Sequence, residues 1–309
     1  MGKIAFLFAG QGSQYVGMGQ DLYENSAAAK AIFDMAERLR PGTQALCFSG
    51  TKEALNETIN TQPCLFTMDL AVAEALKEYG VTPDMAAGFS LGELPAASYT
   101  GMFSYEDGFL AVCKRAALMQ EAAQKRPGKM VAVLKLSAEE VEAITSAMKD
   151  AYPVNYNCPG QVVVAVSENS FSDLCSKVKA AGGRAMPLAV SGAFHSPFME
   201  EASNAFLEHL ENIALQQESI PLYANVTAKP YPVDTKSKKG LLAQQIMQPV
   251  LWQNTIEEMI LAGADTFVEV GAGKVLTGLV KKKNKEVHAV TVENLEDLET
   301  AVRALKDNR

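Results

Sequence analysis

The chain has 309 residues, 48% hydrophobic and 21% charged, with 28 Lys and Arg against 36 Asp and Glu for a net charge of −8. That length and apolar content suit a large core plus a smaller domain and exclude a disordered chain. The acidic balance argues against nucleic acid or an anionic membrane as the main partner, and leaves two short basic runs, Lys236–Lys239 and Lys281–Lys285.

Lys3–Phe8 reads as a first strand, followed by the glycine-rich loop Ala9-Gly10-Gln11-Gly12-Ser13-Gln14. Position 15 is Tyr where a dinucleotide fingerprint needs its third glycine, so the loop is better suited to presenting a backbone N–H than to cradling phosphate. Helical patterns follow at Ala27–Leu39, Thr51–Glu57 and Pro63–Tyr79. Val81–Ala87 then reads as a buried strand and Leu94–Tyr99 as the start of a helix. Between them Gly88-Phe89-Ser90-Leu91-Gly92 forms a Gly-x-Ser-x-Gly turn. A strand-turn-helix of this kind exposes the serine hydroxyl above the sheet, at a helix N-terminus whose free N–H groups can receive an oxyanion. Ser90 is therefore a candidate acyl-transfer nucleophile, and the N–H groups of Gln11 and Leu91 are candidates for the oxyanion hole. Pro95 removes an N–H from the following turn, which is expected to be kinked or tightened.

Tyr105–Gln124 is a strong helix with a core stripe of Phe109, Val112, Ala116, Met119 and Ala123. Arg115 lies about 60° off that stripe at 100° per residue, and a guanidinium on the flank of a buried face requires an anionic partner. A structural salt bridge would satisfy the same requirement.

At Arg126-Pro127-Gly128 the composition changes. Strands at Met130–Leu136, Val154–Asn157, Gln161–Val166 and Arg184–Leu188 alternate with helices at Ala138–Met148 and Ser170–Ala180. The order β-α-β-β-α-β is the ferredoxin-like split motif. Residues 127–190 are thus expected to form a small inserted subdomain, and 1–126 with 191–309 the larger one.

The larger unit resumes with the loop Ser191–Pro197 before a helix at Met199–Asn212. Three histidines are available as a base. His209 shares the apolar side of its helix, which suits packing. His288 sits in the strand Val287–Val292, late in the chain, where an ordinary hydrolase with this turn carries its base. His195, on a Gly- and Pro-bounded loop, is better placed for chemistry, without removing His288 from consideration. A Pro- and Lys-rich loop at Ala228–Lys239, a helix at Gly240–Met247, a strand at Thr266–Val270, a helix at Lys274–Lys283 and a last helix from Leu295 complete the pattern. Alternating strands and helices in both outer segments imply a mostly parallel sheet covered on both faces.

The five cysteines are odd in number and widely spaced, so neither a disulfide framework nor a zinc site is expected. No stretch approaches the roughly eighteen apolar residues of a membrane span, and Ile4–Gly10 lacks a cleavage pattern. These features predict a cytoplasmic enzyme.

Gly10-Gln11-Gly12-Ser13-Gln14, Gly88-Phe89-Ser90-Leu91-Gly92-Glu93, the Arg115 helix, Asn155-Tyr156-Asn157 and Gly192-Ala193-Phe194-His195-Ser196 occur in one order and spacing. So do Asn225-Val226-Thr227, Gln245 ahead of Pro249-Val250, and Glu269-Val270-Gly271-Ala272-Gly273-Lys274-Val275-Leu276. Together these residues resemble the malonyl-CoA:acyl carrier protein transacylases of fatty acid and polyketide synthesis over nearly the whole chain. The resemblance implies an α/β-hydrolase-like domain with a ferredoxin-like insertion. It implies Ser90 as nucleophile and His195 as base, steered by the main-chain carbonyl of Gln245, with Gln11 and Leu91 at the oxyanion hole. It further implies Arg115 on the malonyl carboxylate, with Phe194, Asn155 and Asn157 at the substrate.

The implied reaction is ping-pong transfer of malonyl from malonyl-CoA through Ser90 to the pantetheine thiol of acyl carrier protein, by a monomer needing no metal or redox cofactor. The residues do not separate fatty acid synthesis from service to a polyketide synthase. A serine thioesterase or esterase would use the same turn, pass the acyl group to water and not need Arg115. The family commonly has His where this chain has Phe89, proline at Ala9 and Ala272, and an aromatic residue at Pro95, so fine tuning beside the nucleophile is expected to differ.

Overall fold

The computed structural model describes residues 2–190 and 192–306, so Ser191 of the His195 loop and the last three residues of the larger unit lie outside the described residues. Among the described residues the strands are β1 (Lys3–Phe8), β2 (Met85–Gly88), β3 (Gly128–Leu134), β4 (Ala151–Cys158), β5 (Gln161–Ser167), β6 (Arg184–Pro187), β7 (Leu222–Tyr223), β8 (Ala264–Val270) and β9 (His288–Val292).

One sheet has the order β7-β2-β1-β8-β9, with every neighbouring pair parallel. Its central strand is buried on both faces, because successive side chains point to opposite sides. Ile4, Phe6 and Phe8 enter one core with the helices Thr58–Glu78 and Tyr105–Lys125, whereas Ala5 and Leu7 enter a second core with Trp252–Leu261 and Val275–Lys283. Continuous apolar character in Lys3–Phe8 is what such a doubly covered parallel strand requires.

The second sheet, β4-β5-β3-β6, is antiparallel throughout. Val131, Val133, Val162, Val164 and Val166 cover themselves with the helices Ala138–Ser146 and Phe171–Ala180. The opposite face, including Met130, Ala132, Val163 and Ala165, joins the core of the first sheet's helices. Backbone bonds also tie β4 to the segment beyond Gln245, from Val250 N to Val154 O at 2.8 Å and from Tyr156 N to Val250 O at 3.0 Å. The small sheet is thereby fixed over the carboxyl ends of the parallel strands.

Several local expectations change. β2 is shorter than Val81–Ala87 because Asp84 is drawn into a loop: its N–H donates to Ile4 O and its carboxylate accepts from Ile4 N, both at 2.8 Å. The helix expected from Pro63 begins at Thr58 and carries Pro63 inside it. The helix expected at Gly240–Met247 runs Thr235–Gln244, because Asp234 caps it by accepting from Ser237 N at 2.8 Å. That helix absorbs the Lys236–Lys239 run. Lys238 Nζ lies 2.8 Å from Glu218 with both side chains almost fully buried, and Lys239 reaches Glu211. The run is therefore no basic surface patch, and removing one partner of the Lys238–Glu218 pair would strand a buried charge at a cost of about 3–5 kcal/mol. The helices Gln20–Asn25, Thr43–Ser49 and Trp252–Leu261 had no distinct periodic signal and were not anticipated.

Candidate active site

The turn after β2 is built by close backbone approach. A Cβ on Gly88 would lie 1.9 Å from Gly92 O, and one on Gly92 would lie 2.3 Å from Phe8 O, so both positions admit only glycine. Between them Ser90 is held at φ 54°, a conformation L-residues adopt only when surroundings impose it. The clamp is Asn225, whose Oδ1 accepts from Ser90 N and whose Nδ2 donates to Gly88 O, each at 2.7 Å. A single 3₁₀ turn, Ser90–Gly92, then leads into the helix Glu93–Tyr99. Pro95 falls in the first turn of that helix, where an N–H has no intrahelical partner, so it removes no helix bond and the expected kink is not required.

Ser90 Oγ lies 2.7 Å from His195 Nε2, and His195 Nδ1 lies 2.7 Å from Gln245 O. A carbonyl only accepts, so Nδ1 carries the proton and Nε2 is the free base facing the serine hydroxyl. His195 is itself at φ 60°, pinned by its N–H to Ile246 O at 3.1 Å. Burial, and then the nearby Arg115 charge, push its pKa down to about 4, opposed by backbone carbonyls at Gln245 and Gln248. The imidazole is thus neutral at physiological pH.

The other histidines are elsewhere. His209 is half-buried and stacks on Phe206 with ring centroids 6.3 Å apart, a packing position. His288 is exposed at the start of β9, and since all strands of that sheet run parallel, it stands at the end opposite Ser90. Topology excludes it from the site.

Arg115 is fully buried, not on a flank, because its helix packs against both Thr58–Glu78 and Glu200–Glu211. Its Nη1 donates to Gln62 Oε1 and its Nη2 to Gln245 Oε1, each at 2.8 Å, and Nη2 also lies 3.4 Å from Ser90 Oγ. Burial lowers its pKa to about 10, which still leaves it charged at neutral pH. Among the described residues no carboxylate touches it. Glu93 is separated from it by the Gln245 amide, whose Nε2 donates to Glu93 Oε2 at 2.9 Å and to Ser90 O at 2.5 Å.

Above these groups lies a cavity of about 360 Å³ lined by Gln11, Ser90, Phe194, His195, Asn155, Asn157 and apolar side chains including Met130 and Leu279. Gln11 is brought there because β1 and β2 are adjacent and in register, Phe8 beside Gly88, so their loops emerge together. Its loop is braced by Ser13 Oγ on Gly10 O and by Gly12 N on Gln14 Oε1, both at 2.8 Å. Leu91 turns its side chain into the core, leaving its N–H at the start of the 3₁₀ turn. Asn155 and Asn157 are buried in the lining, and among the described residues Asn157 Oδ1 meets no donor. Phe89, also in the lining, packs edge-on to Trp252 at 5.2 Å. At the rim Lys282 donates to Gln161 Oε1 at 3.2 Å, and Lys283 pairs with Glu257.

Gln62, Glu93, Asn225 and Tyr231 are parts of this constellation that sequence reasoning gave no role. Glu93 and Asn225 stood inside the quoted motifs, whereas Gln62 and Tyr231 had no signal beyond their neighbours. Among the described residues no group of His, Cys, Asp and Glu is arranged to hold a metal ion, and no helix is long and apolar enough to cross a membrane.

A strained serine against a neutral histidine, with a buried guanidinium beside the hydroxyl and a closed-over cleft above, is the equipment of an acyltransferase. The comparisons agree with that class: residues 5–307 match the acyl transferase domain family. The malonyl CoA-acyl carrier protein transacylase of Bacillus subtilis is 40% identical over 99% of this chain and 98% of its own. That of Staphylococcus aureus is 38% identical over 96% and 98%. The crystal structure of the Clostridium perfringens transacylase superposes with a TM-score of 0.94 at 37% identity, covering 99% of this chain and 98% of that one. A malonyl-transacylase solved in complex with its type II polyketide synthase acyl carrier protein gives 0.94 at 32%, covering 98% and 99%. The chain belongs to the malonyl CoA-acyl carrier protein transacylase family.

Proposed function

We propose that this enzyme transfers malonyl from malonyl-CoA to the pantetheine thiol of acyl carrier protein, by ping-pong exchange through an ester on Ser90. The observation that carries the proposal is the buried, carboxylate-free guanidinium of Arg115 at 3.4 Å from Ser90 Oγ. A cation placed there suits an acyl group that ends in a carboxylate, and a guanidinium recognises that group through paired hydrogen bonds.

In the first half-reaction His195 Nε2 takes the Ser90 proton as the oxygen attacks the thioester carbonyl, and the N–H groups of Gln11 and Leu91 receive the developing oxyanion. Collapse breaks the C–S bond, and the imidazolium returns the proton to the departing CoA thiolate. The second half reverses this sequence: His195 deprotonates the carrier thiol, the thiolate attacks the ester, and Ser90 regains its proton. The Gln245 carbonyl keeps Nδ1 protonated and so fixes the tautomer throughout. No metal or redox group enters these steps. Gln62 and Gln245 each take one N–H of the guanidinium, which leaves the second N–H on Nη1 and on Nη2 to be offered to the malonyl carboxylate. Phe194 limits bulk at the malonyl α-carbon, and Asn155 and Asn157 line the path of the pantetheine arm.

The strand order supports reading 1–126 and 191–309 as an α/β-hydrolase-like domain and 127–190 as a ferredoxin-like insertion that roofs the cleft. We further read the enzyme as a cytoplasmic monomer that supplies malonyl units to fatty acid synthesis without contacting nucleic acid or membrane. Intact-mass analysis after incubation with malonyl-CoA tests the mechanism. One malonyl ester is expected on the wild type, none on Ser90→Ala, and its loss on adding acyl carrier protein with the label moving to the carrier. Release of free malonate without an acceptor thiol would make the protein a thioesterase instead.

A further inference from the structure

Glu93 follows the Gly-x-Ser-x-Gly turn directly and is 1% exposed. Its carboxyl accepts from the Tyr231 hydroxyl, from Asn225 N at 3.3 and 3.4 Å, and from Gln245 Nε2 at 2.9 Å. The proposed chemistry makes no use of it.

Its partner Gln245 has two separable tasks. The main-chain carbonyl that holds His195 is fixed by the end of its own helix, through Gln245 N to Leu241 O at 2.9 Å. The side-chain amide instead faces Arg115 with Oε1, and faces Ser90 O, Glu93 Oε2 and, at 3.4 Å, Asn225 Oδ1 with Nε2. An amide turned over keeps its shape, so only the surrounding donors and acceptors decide which end faces the guanidinium. Turned over here, it would set an NH₂ against Arg115 and an oxygen against three acceptors, of which Glu93 alone carries charge.

We propose that Glu93 is a positioning residue for acyl selection, which holds Gln245 Nε2 so that Gln245 Oε1 keeps the Arg115 guanidinium aimed at the acyl carboxylate. The proposal rests on the reading of Arg115 as the malonyl receptor.

The groups facing the Glu93 carboxyl are Tyr231 from the segment after β7, Arg115 from the Tyr105–Lys125 helix, and the neutral Asn225 and Gln245; Glu218 bears on Tyr231 in turn. Burial raises Glu93 to about 7, against the lowering effect of Tyr231, Gln245, Asn225 and Arg115. The carboxylate accepts from every side, whereas the acid presents an O–H and gives up one acceptor site. Preference for malonyl over acetyl is then present above about pH 7 and falls as pH drops through that value. His195, pushed down to about 4, titrates later and affects both acyl donors alike.

The test is competition between malonyl-CoA and acetyl-CoA for transfer to acyl carrier protein from pH 5 to 8. It uses the wild type, Glu93→Leu, Glu93→Gln, Arg115→Ala and the Glu93→Leu/Arg115→Ala double variant, with folding followed by circular dichroism. The wild-type malonyl-to-acetyl ratio of kcat/KM is expected to fall on the order of tenfold between pH 8 and 5. Glu93→Leu lowers the ratio at pH 8 by a similar factor, mainly through malonyl-CoA. Glu93→Gln, which presents a donor as the protonated acid does and cannot titrate, holds the ratio near the wild-type pH 5 value at every pH and abolishes the pH step. Adding Glu93→Leu to Arg115→Ala changes the ratio no further, since both act through one group.

A role confined to stability would depress both donors and leave the ratio alone, which overturns the proposal. An unchanged ratio in Arg115→Ala would overturn the malonyl-receptor reading as well. A shift in Arg115→Ala with none in Glu93→Leu removes Glu93 alone. The wild-type series needs no variant, and a ratio flat from pH 5 to 8 overturns the proposal by itself.

Discussion

His195 Nδ1 donates to the main-chain carbonyl of Gln245 at 2.7 Å, and among the described residues no carboxylate bonds to the imidazole. A carbonyl fixes the tautomer as well as an aspartate would, but it stabilises the imidazolium less. Burial and the Arg115 charge therefore dominate, and the base stays neutral far below the usual histidine range.

The base should be confined to one histidine. His195→Ala is expected to slow acylation of Ser90 by roughly 10²–10⁴, while His209→Ala and His288→Ala remain near wild type. Rapid-quench measurement of the acyl-enzyme distinguishes the three, and equal damage from His288→Ala would contradict the position of His288 at the far end of the sheet.

Acylation by acetyl-CoA, which has no carboxylate for Arg115 to hold, should persist well below pH 6.5. Neutral His195 is the active form, so the rate is expected to fall only as pH drops through about 4. The same shift acts on stability. Between the ordinary histidine value and about 4 the unfolded chain binds a proton that the folded chain refuses, so this contribution is intact above pH 6.5 and is lost as pH falls through about 4. Urea midpoints of the wild type and His195→Gln, compared from pH 7 to 4, should converge toward acid pH.

Arg115→Ala should lower malonyl transfer by at least ten- to a hundredfold, from hydrogen bonds to a charged group worth roughly 1.5–3 kcal/mol each, with acetyl transfer suffering less. Arg115→Lys should recover only part, because an ammonium cannot reproduce the fork held by Gln62 and Gln245. The check is the kcat/KM of each acyl-CoA, and an unchanged malonyl-to-acetyl ratio in a folded variant would reduce Arg115 to a structural cation.

Asp69 is fully buried in the Thr58–Glu78 helix, close against Gly271, and among the described residues its carboxyl meets no donor but the backbone N–H of Ala9. Burial first, and then the nearby Glu269 charge, raise its pKa well above the ordinary Asp value, against the Ala9 backbone N–H, so the folded state holds this proton to higher pH than the unfolded one. The folded state then holds one proton more than the unfolded state. This contribution is intact below the ordinary Asp value and is lost as pH rises, with a slope of up to about 1.4 kcal/mol per pH unit. Asp69→Ser is expected to raise the melting temperature at pH 8 more than at pH 5, and an equal change at both would show that Asp69 is not held neutral.

What neighbouring residues decide was legible in the sequence. The strand Lys3–Phe8, the helix Ala27–Leu39 and the serine turn all follow from apolar spacing and two glycines that nothing else could replace. The order of the small sheet's strands and helices was equally local. The site's wiring was not, because its bonds join residues far apart in the chain: Gln62 with Arg115 across 53 positions, Ser90 with His195 across 105, Arg115 with Gln245 across 130. Periodicity put Arg115 at the edge of a stripe, and only packing from two sides closed over it. Sequence position left His288 in contention until the parallel sheet set it at the opposite end from Ser90. The Lys236–Lys239 run, with its three lysines, read as a short basic patch until Asp234 capped a helix through it and Glu218 paired with Lys238. Each of these outcomes depends on which surface meets which, and that is settled by the fit of buried side chains and the demand that buried polar groups find partners, neither of which has a period in the sequence.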